Sequence, residues 1–152
     1  MSINGAAPLS ATKTYTFSCE KYAFTGEADI QIAKTDKGGV LKITILPSND
    51  KAKISGVLYV DLASADVIAC VAKNVKETAD GIISAYYYFT PAEFAKLKKN
   101  DIYAVRFIIT GGSNAFGNDN GYFTAHNKMN YFSTAYDKSK KSYDTAKEIS
   151  VL

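Results

Sequence analysis

Apolar and polar residues alternate with a period of two along most of this chain, the pattern of strands with one face inward. In Thr14–Cys19, Tyr15, Phe17 and Cys19 share a face opposite Thr16 and Ser18. The phase slips before Tyr22 and Phe24, which predicts a break or bulge near Glu20-Lys21. Ala28–Ala33 alternates again, with Ile30 and Ile32 inward and Asp29 and Gln31 outward. Asp36-Lys37-Gly38-Gly39 has the composition of a tight hairpin turn and leads into Val40–Leu46, where Leu41, Ile43 and Ile45 line one face. Beyond the turn Pro47–Asp50, Ile54, Leu58, Val60 and Leu62 point one way while Tyr59 and Asp61 point the other. Val67–Val75 is apolar on both sides of the pleat, which predicts a strand that is central or covered on both faces. Asn74–Gly81 is polar and ends in the turn signal Asp80-Gly81.

The most structured stretch is Ile82–Thr110, which reads as strand, short helix, strand. Ile82–Phe89 is rich in β-branched and aromatic residues, with Ile83, Ala85, Tyr87 and Phe89 on the better core face and Tyr86 and Tyr88 opposite. Thr90-Pro91-Ala92-Glu93 then has capping-box spacing: the Thr90 hydroxyl can accept from the Glu93 N–H, and the Glu93 carboxylate can reach back to Thr90. Pro91 sits at the first helical position, where no N–H is needed, and Phe89 with Phe94 makes a hydrophobic staple. Lys96, Lys98 and Lys99 crowd the last turn, where the helix dipole favours positive charge, and Ile102–Ile109 resumes as a strand. Beyond Thr110 the chain turns to glycine, amide and aromatic residues, with Tyr131–Tyr136 as one further candidate strand and Glu148–Leu152 as a closing strand or a trailing end.

These elements predict an all-β fold, an antiparallel β-sandwich of about seven to nine strands with one short α-helix between two late strands. That helix is expected to plug one end of the sandwich and to bury Phe94 and Leu97. Residues 1–12, small, polar and proline-containing, read as a flexible N-terminal tail, and 13–152 as one domain.

Composition narrows the function classes. The 152 residues are 47% hydrophobic and 22% charged, enough for a core without staples. Net charge is +3, and of 18 basic residues only Arg106 is arginine, a poor match to nucleic-acid recognition with its forked guanidinium contacts. No run approaches the ~18–20 apolar residues of a membrane-spanning helix, so no membrane insertion is expected. The N-terminus lacks the basic and apolar regions of a signal peptide. Two readings of location follow, a cytoplasmic protein or one whose leader has been removed. The β-sandwich form and the Tyr- and Asn-rich surface lean the expectation to an extracytoplasmic or secreted protein. Cys19 and Cys70 permit one bridge at most; each lies in an apolar strand context and is expected as a buried free thiol.

Candidate chemistry is sparse. His126 is the only histidine, and no serine or cysteine stands in a nucleophile-elbow context beside it. One His and two distant Cys make no zinc site, and Asn118-Asp119-Asn120-Gly121 fails the calcium-loop order because Phe116 stands where the first ligand belongs. No metal or cofactor is therefore expected. Gly111-Gly112 and Gly117 lack the Gly-Lys-Ser/Thr ending of a phosphate loop. Dispersed carboxylates such as Asp61, Asp66 and Glu77 keep a small hydrolase as the last reading. Arg106 is expected to lie along an outer sheet face, since a buried role would need a carboxylate partner.

The segment Gly111–Tyr136 carries the functional expectation: long, glycine-rich and irregular, it resembles a binding loop. Tyr122, Tyr131 and Tyr136 would give flat stacking area, and Asn118, Asp119, Asn120 and His126 directional hydrogen bonds. The reading is a non-catalytic binding or interaction module for a protein or glycan ligand. A carbohydrate-binding domain is the specific alternative.

Overall fold

The computed structural model describes residues 1–3, 6–19, 26–47, 52–111, 113–114, 117–118, 121–128 and 142–152, with backbone alone at 73–75, 113–114 and 117–118. Ten strands result: β1 (Tyr15–Cys19), β2 (Glu27–Thr35), β3 (Gly38–Ile45), β4 (Lys53–Leu62), β5 (Val67–Ala79), β6 (Ile82–Phe89), β7 (Ile102–Thr110), the two-residue β8 (Ser113–Asn114) and β9 (Gly117–Asn118), and β10 (Gly121–His126). Two helical segments are seen among the described residues, α1 (Pro91–Leu97) and α2 (Thr145–Ile149).

Eight of these strands form a closed antiparallel barrel in the order β1-β2-β3-β6-β5-β4-β7-β10, and β8 pairs with β9. The fold is thus all-β as expected, but a barrel and not a sandwich. The period-two pattern is the same in both, because each strand has one inward face either way. The difference lies in long-range pairing. β10 runs antiparallel to β7 from Gly121↔Ile109 to His126↔Ala104 and meets β1 at Ser18↔His126 and Cys19↔Ala125, so the sheet closes on itself.

Inward residues fill this ring. Tyr15, Phe17, Tyr87, Phe89 and Phe107 are all fully buried, and Phe107 stacks on Phe123 with centroids 5.9 Å apart. An eight-stranded barrel is just wide enough for its interior to be packed with side chains. Outward positions carry polar and charged groups such as Asp29, Lys42, Asp61 and Arg106. Cys19 and Cys70 are both buried, and no disulfide joins them.

Several segments depart from the local reading. β5 does not end at Val75 but continues to Ala79, where Asp80 (φ 54°) and Gly81 (φ 79°) make the two-residue turn into β6. Both φ angles are positive, as a type I′ hairpin requires. Its outward side is not covered, for Val67 is 50% and Val71 70% exposed. In β4 the register against β7 shifts between Ser55 and Tyr59, where Gly56 takes φ 72°. Between these pairs β4 has two residues more than β7, and the even number keeps Ile54 and Leu58 both pointing inward. The slip expected at Glu20-Lys21 lies outside the described residues.

The antiparallel order puts α1 across the end of the barrel where β6 finishes and β7 begins. Its N-terminus is as the sequence reads: Glu93 N–H donates to Thr90 Oγ1 (3.2 Å), and Thr90 N–H donates to Glu93 Oε1 (2.8 Å). Phe94 and Leu97 are buried. What receives Phe94 is the β2–β3 hairpin. A Cβ on Gly39 would overlap the Phe94 ring, and one on Gly38 (φ 126°) would overlap the Phe89–Pro91 backbone. The two glycines therefore serve close approach as much as turn geometry.

At the same end sits α2, which runs into the Glu148–Leu152 stretch expected as a closing strand or a trailing end. Asn127 holds its approach: Nδ2 donates to the carbonyls of Ile102 (2.7 Å) and Tyr143 (3.0 Å), while Oδ1 accepts from Tyr143 N–H (2.8 Å). Thr145 Oγ1 accepts from Ile102 N–H (2.8 Å), and Ile149 is fully buried. Tyr143 packs on Tyr15 and Phe17 at 5.1 and 6.2 Å, covering the start of β1.

The N-terminal segment, read as a tail, lies along the outer face of β2, β3 and β6. Lys34 N–H donates to Ser10 O and Thr12 N–H to Ile32 O, and Met1, Ile3, Leu9 and Ala11 pack on the outward-pointing Ala33, Val40 and Tyr86. Under this cover Tyr86 O–H donates to Glu77 Oε2 (3.0 Å).

Three outcomes follow in denaturant unfolding and labelling. Thr90→Ala should cost ~0.5–2 kcal/mol, Phe94→Ala ~3–5 kcal/mol, and Gly39→Ala ~1–3 kcal/mol through overlap with the same ring. Equal, near-zero effects from all three would contradict the docked helix.

Burial pushes the Tyr87 hydroxyl up to about 12, with Cys70 adding to the rise, and burial with the Glu77 carboxylate does the same for Tyr86. Neutral tyrosine is held in the folded state while the unfolded chain ionises from 10.0 upward. Stability should then be independent of these groups below pH 10 and fall as pH rises through 12, followed by tyrosinate absorbance with unfolding.

Burial also raises the Cys70 thiol, with Glu93 adding to it. Both cysteines should resist a thiol reagent until the protein is denatured, and intact mass should show no loss of two hydrogens.

Candidate binding face

The expected site residues fall partly on one surface. Residues 121–126 are no irregular loop but barrel strand β10, and its alternation decides which side chains face out. Phe123 and Ala125 are buried inside; Tyr122, Thr124 and His126 point outward. His126 lies four residues beyond Tyr122, which along an extended strand is about 13 Å. Asn118 has its backbone in β9. Asp119, Asn120, Tyr131 and Tyr136 lie outside the described residues, as does the candidate strand Tyr131–Tyr136.

Register then supplies neighbours that the sequence alone does not connect. Thr124 pairs with Arg106, and Arg106 pairs with Tyr59 on β4. His126 pairs with Ala104, and Ala104 with Asp61. Arg106 therefore sits amid an outward row flanked by Tyr59 and Asp61. Its Nε and Nη2 each donate to an Asp61 carboxylate oxygen at 2.9 Å, and its guanidinium carbon lies 4.8 Å from the Tyr59 ring centroid. The bidentate fork fixes the plane of the guanidinium against the ring. Both partners remain partly exposed, so the pair itself contributes little to folding, on the order of 1 kcal/mol or less.

Above this row Tyr103 and His126 meet edge to face with centroids 5.9 Å apart. Tyr103 is 60% and Tyr122 77% exposed, so two flat rings stand at opposite ends of the same sheet face. His126 Nδ1 is shielded from solvent and has no hydrogen-bond partner among the described residues. Backbone on the β1 side is tied down by Ser18, whose Oγ donates to Lys128 O at 3.2 Å.

The sequence reading had singled out Tyr122 and His126 of this face but missed Tyr103 and the Tyr59–Arg106–Asp61 unit. Outward placement of Tyr59 and Asp61 was legible from alternation; their meeting with Arg106, 45 residues beyond Asp61, is a matter of register. The carboxylates considered for hydrolysis do not converge. Asp61 is held by Arg106, Asp66 lies in the β4–β5 turn, and Glu77 sits ten residues further along β5 than Val67, engaged by Tyr86 and by Lys42 at 4.0 Å. Among the described residues, no group of three or more His, Cys, Asp or Glu gathers.

No protein-family model, no curated protein and no solved structure matches this chain, so the reading of the site rests on its geometry.

Proposed function

We propose that the protein is a non-catalytic binding module that recognises a protein or glycan partner on the outer face of β10, β7 and β4. The observation that carries this reading is the clamped Tyr59–Arg106–Asp61 unit between exposed Tyr103 and Tyr122. Flat amphipathic rings supply contact area at low rotamer cost, and a guanidinium already held in place loses little entropy on contact. Because Asp61 balances the charge of Arg106, the face favours neutral polar ligands, such as sugar rings or peptide backbone, over anions.

Packing of the interior supports a surface site over a ligand carried inside, since Phe17, Tyr87, Phe89 and Phe107 occupy that space. The apolar interior and the charged outer residues are the reverse of a membrane barrel, whose outward band is apolar. The engaged state of Asp61 and Glu77 weighs against the hydrolase reading.

Binding to an immobilised glycan panel and to candidate partner proteins, followed by single substitutions, tests this. Tyr103→Ala and Tyr122→Ala should each weaken binding about tenfold or more, and His126→Ala less, with the fold unchanged. Binding that is unaltered by all three substitutions in natively folded protein places the site elsewhere.

A further inference from the structure

On another flank of the barrel, at the end away from the helices, β2, β3 and β6 frame a groove of about 250 Å³. Its described lining is Glu27, Asp29, Thr44, Ile45, Leu46 and Ile82. Alternation along β2 turns Glu27 and Asp29 to the same outward side, about 7 Å apart. Register sets Thr44 beside Asp29. Leu46 and Ile82, each 42% exposed, add an aliphatic ledge.

The polar wall is acidic, and its Thr44 hydroxyl shares a 2.8 Å hydrogen bond with Ser84 Oγ, which leaves a lone pair to accept another. Asp29 Oδ1 accepts from Thr16 Oγ1 at 2.9 Å, which leaves its second oxygen open among the described residues. Glu27 has neither an ion pair nor a side-chain hydrogen bond among them. Lys42, one outward step along β3 from Thr44, is turned away to Glu77 and lies over the Tyr86 ring at 5.7 Å. On a chain of net charge +3, this is a concave surface with an apolar ledge and negative charge that no cation among the described residues pairs.

We propose that this groove binds a lysine side chain presented by a partner polypeptide. The four-carbon stem lies along Leu46 and Ile82, as long cationic side chains bury their methylenes while keeping the head polar. The ammonium meets Glu27, Asp29 and the Thr44 hydroxyl. Its three divergent donors suit acceptors spread over two carboxylates and a hydroxyl, whereas an arginine fork matches a single carboxylate in one plane. The site is separate from the β10–β7–β4 face and stands or falls independently of it.

Methyl-detected NMR titration with Nα-acetyl-lysine methylamide reads the groove directly. Expected are saturable shifts of the Ile45, Leu46 and Ile82 methyls that weaken in high salt. The norleucine analogue, which has a similar stem without the ammonium, should bind about tenfold more weakly. Glu27→Gln combined with Asp29→Asn should lose a similar factor with the remaining methyl spectrum unchanged. Leu46→Lys, which supplies a tethered ammonium to the same carboxylates, should abolish binding and keeps the test open if the double variant folds poorly. Absence of saturable shifts, equal binding of the norleucine analogue, or equally tight binding of n-butylamine (which would remove any need for a polypeptide) overturns the proposal.

Discussion

Among the described residues, Ser18 with His126 and Cys19 with Ala125 close the ring. Every other strand contact extends a sheet; this one removes its edges. Without it, β1 and β10 would each present unpaired N–H and C=O groups, and the inward face of a strongly curved sheet would open to water. The seam retains Phe17, Phe107 and Phe123 in the interior. β10 thus has two roles at once, since its inward residues complete the core while its outward residues, Tyr122 and His126, reach the candidate binding face.

Closure creates a second problem, the open ends. At one of them the chain deploys α1 and α2 side by side, and each is docked by a different physical device. α1 is locally encoded, with a reciprocal cap and a staple, and its Phe94 needs a flat socket that glycine at position 39 provides. α2 is short and lacks a side-chain cap. Its place is set by Asn127, Asp101 and Thr145, which satisfy backbone groups at the start of β7 and on either side of the helix entry. One helix is held by its own sequence and one by its surroundings.

A filled interior leaves recognition to the outside. The outer surface is not uniform: the N-terminal segment covers Ala33, Val40 and Tyr86, whereas the β10–β7–β4 face stays exposed with its rings and its clamped arginine. The groove at Glu27 and Asp29 presents a third character, acidic over aliphatic. These three surfaces differ because strand alternation sends every second residue outward, and neighbouring strands contribute different outward chemistry.

What the sequence by itself determined is local. Period-two alternation placed Ile30, Ile32, Leu41, Ile43 and Tyr87 inward, and Thr90-Pro91-Ala92-Glu93 specified the helix start, because both signals depend on residues a few positions apart. The tertiary structure alone decided the rest. Whether eight strands stack as two sheets or close as one depends on pairings such as Cys19 with Ala125, for which alternation carries no information. The same holds for Arg106 with Asp61 and Tyr59: each was visibly outward, but only register brings them to one row. It holds also for α2, whose five residues are helical because Ile102, Asp101 and Asn127 anchor that part of the chain. So short an element has too few internal hydrogen bonds to stand by itself.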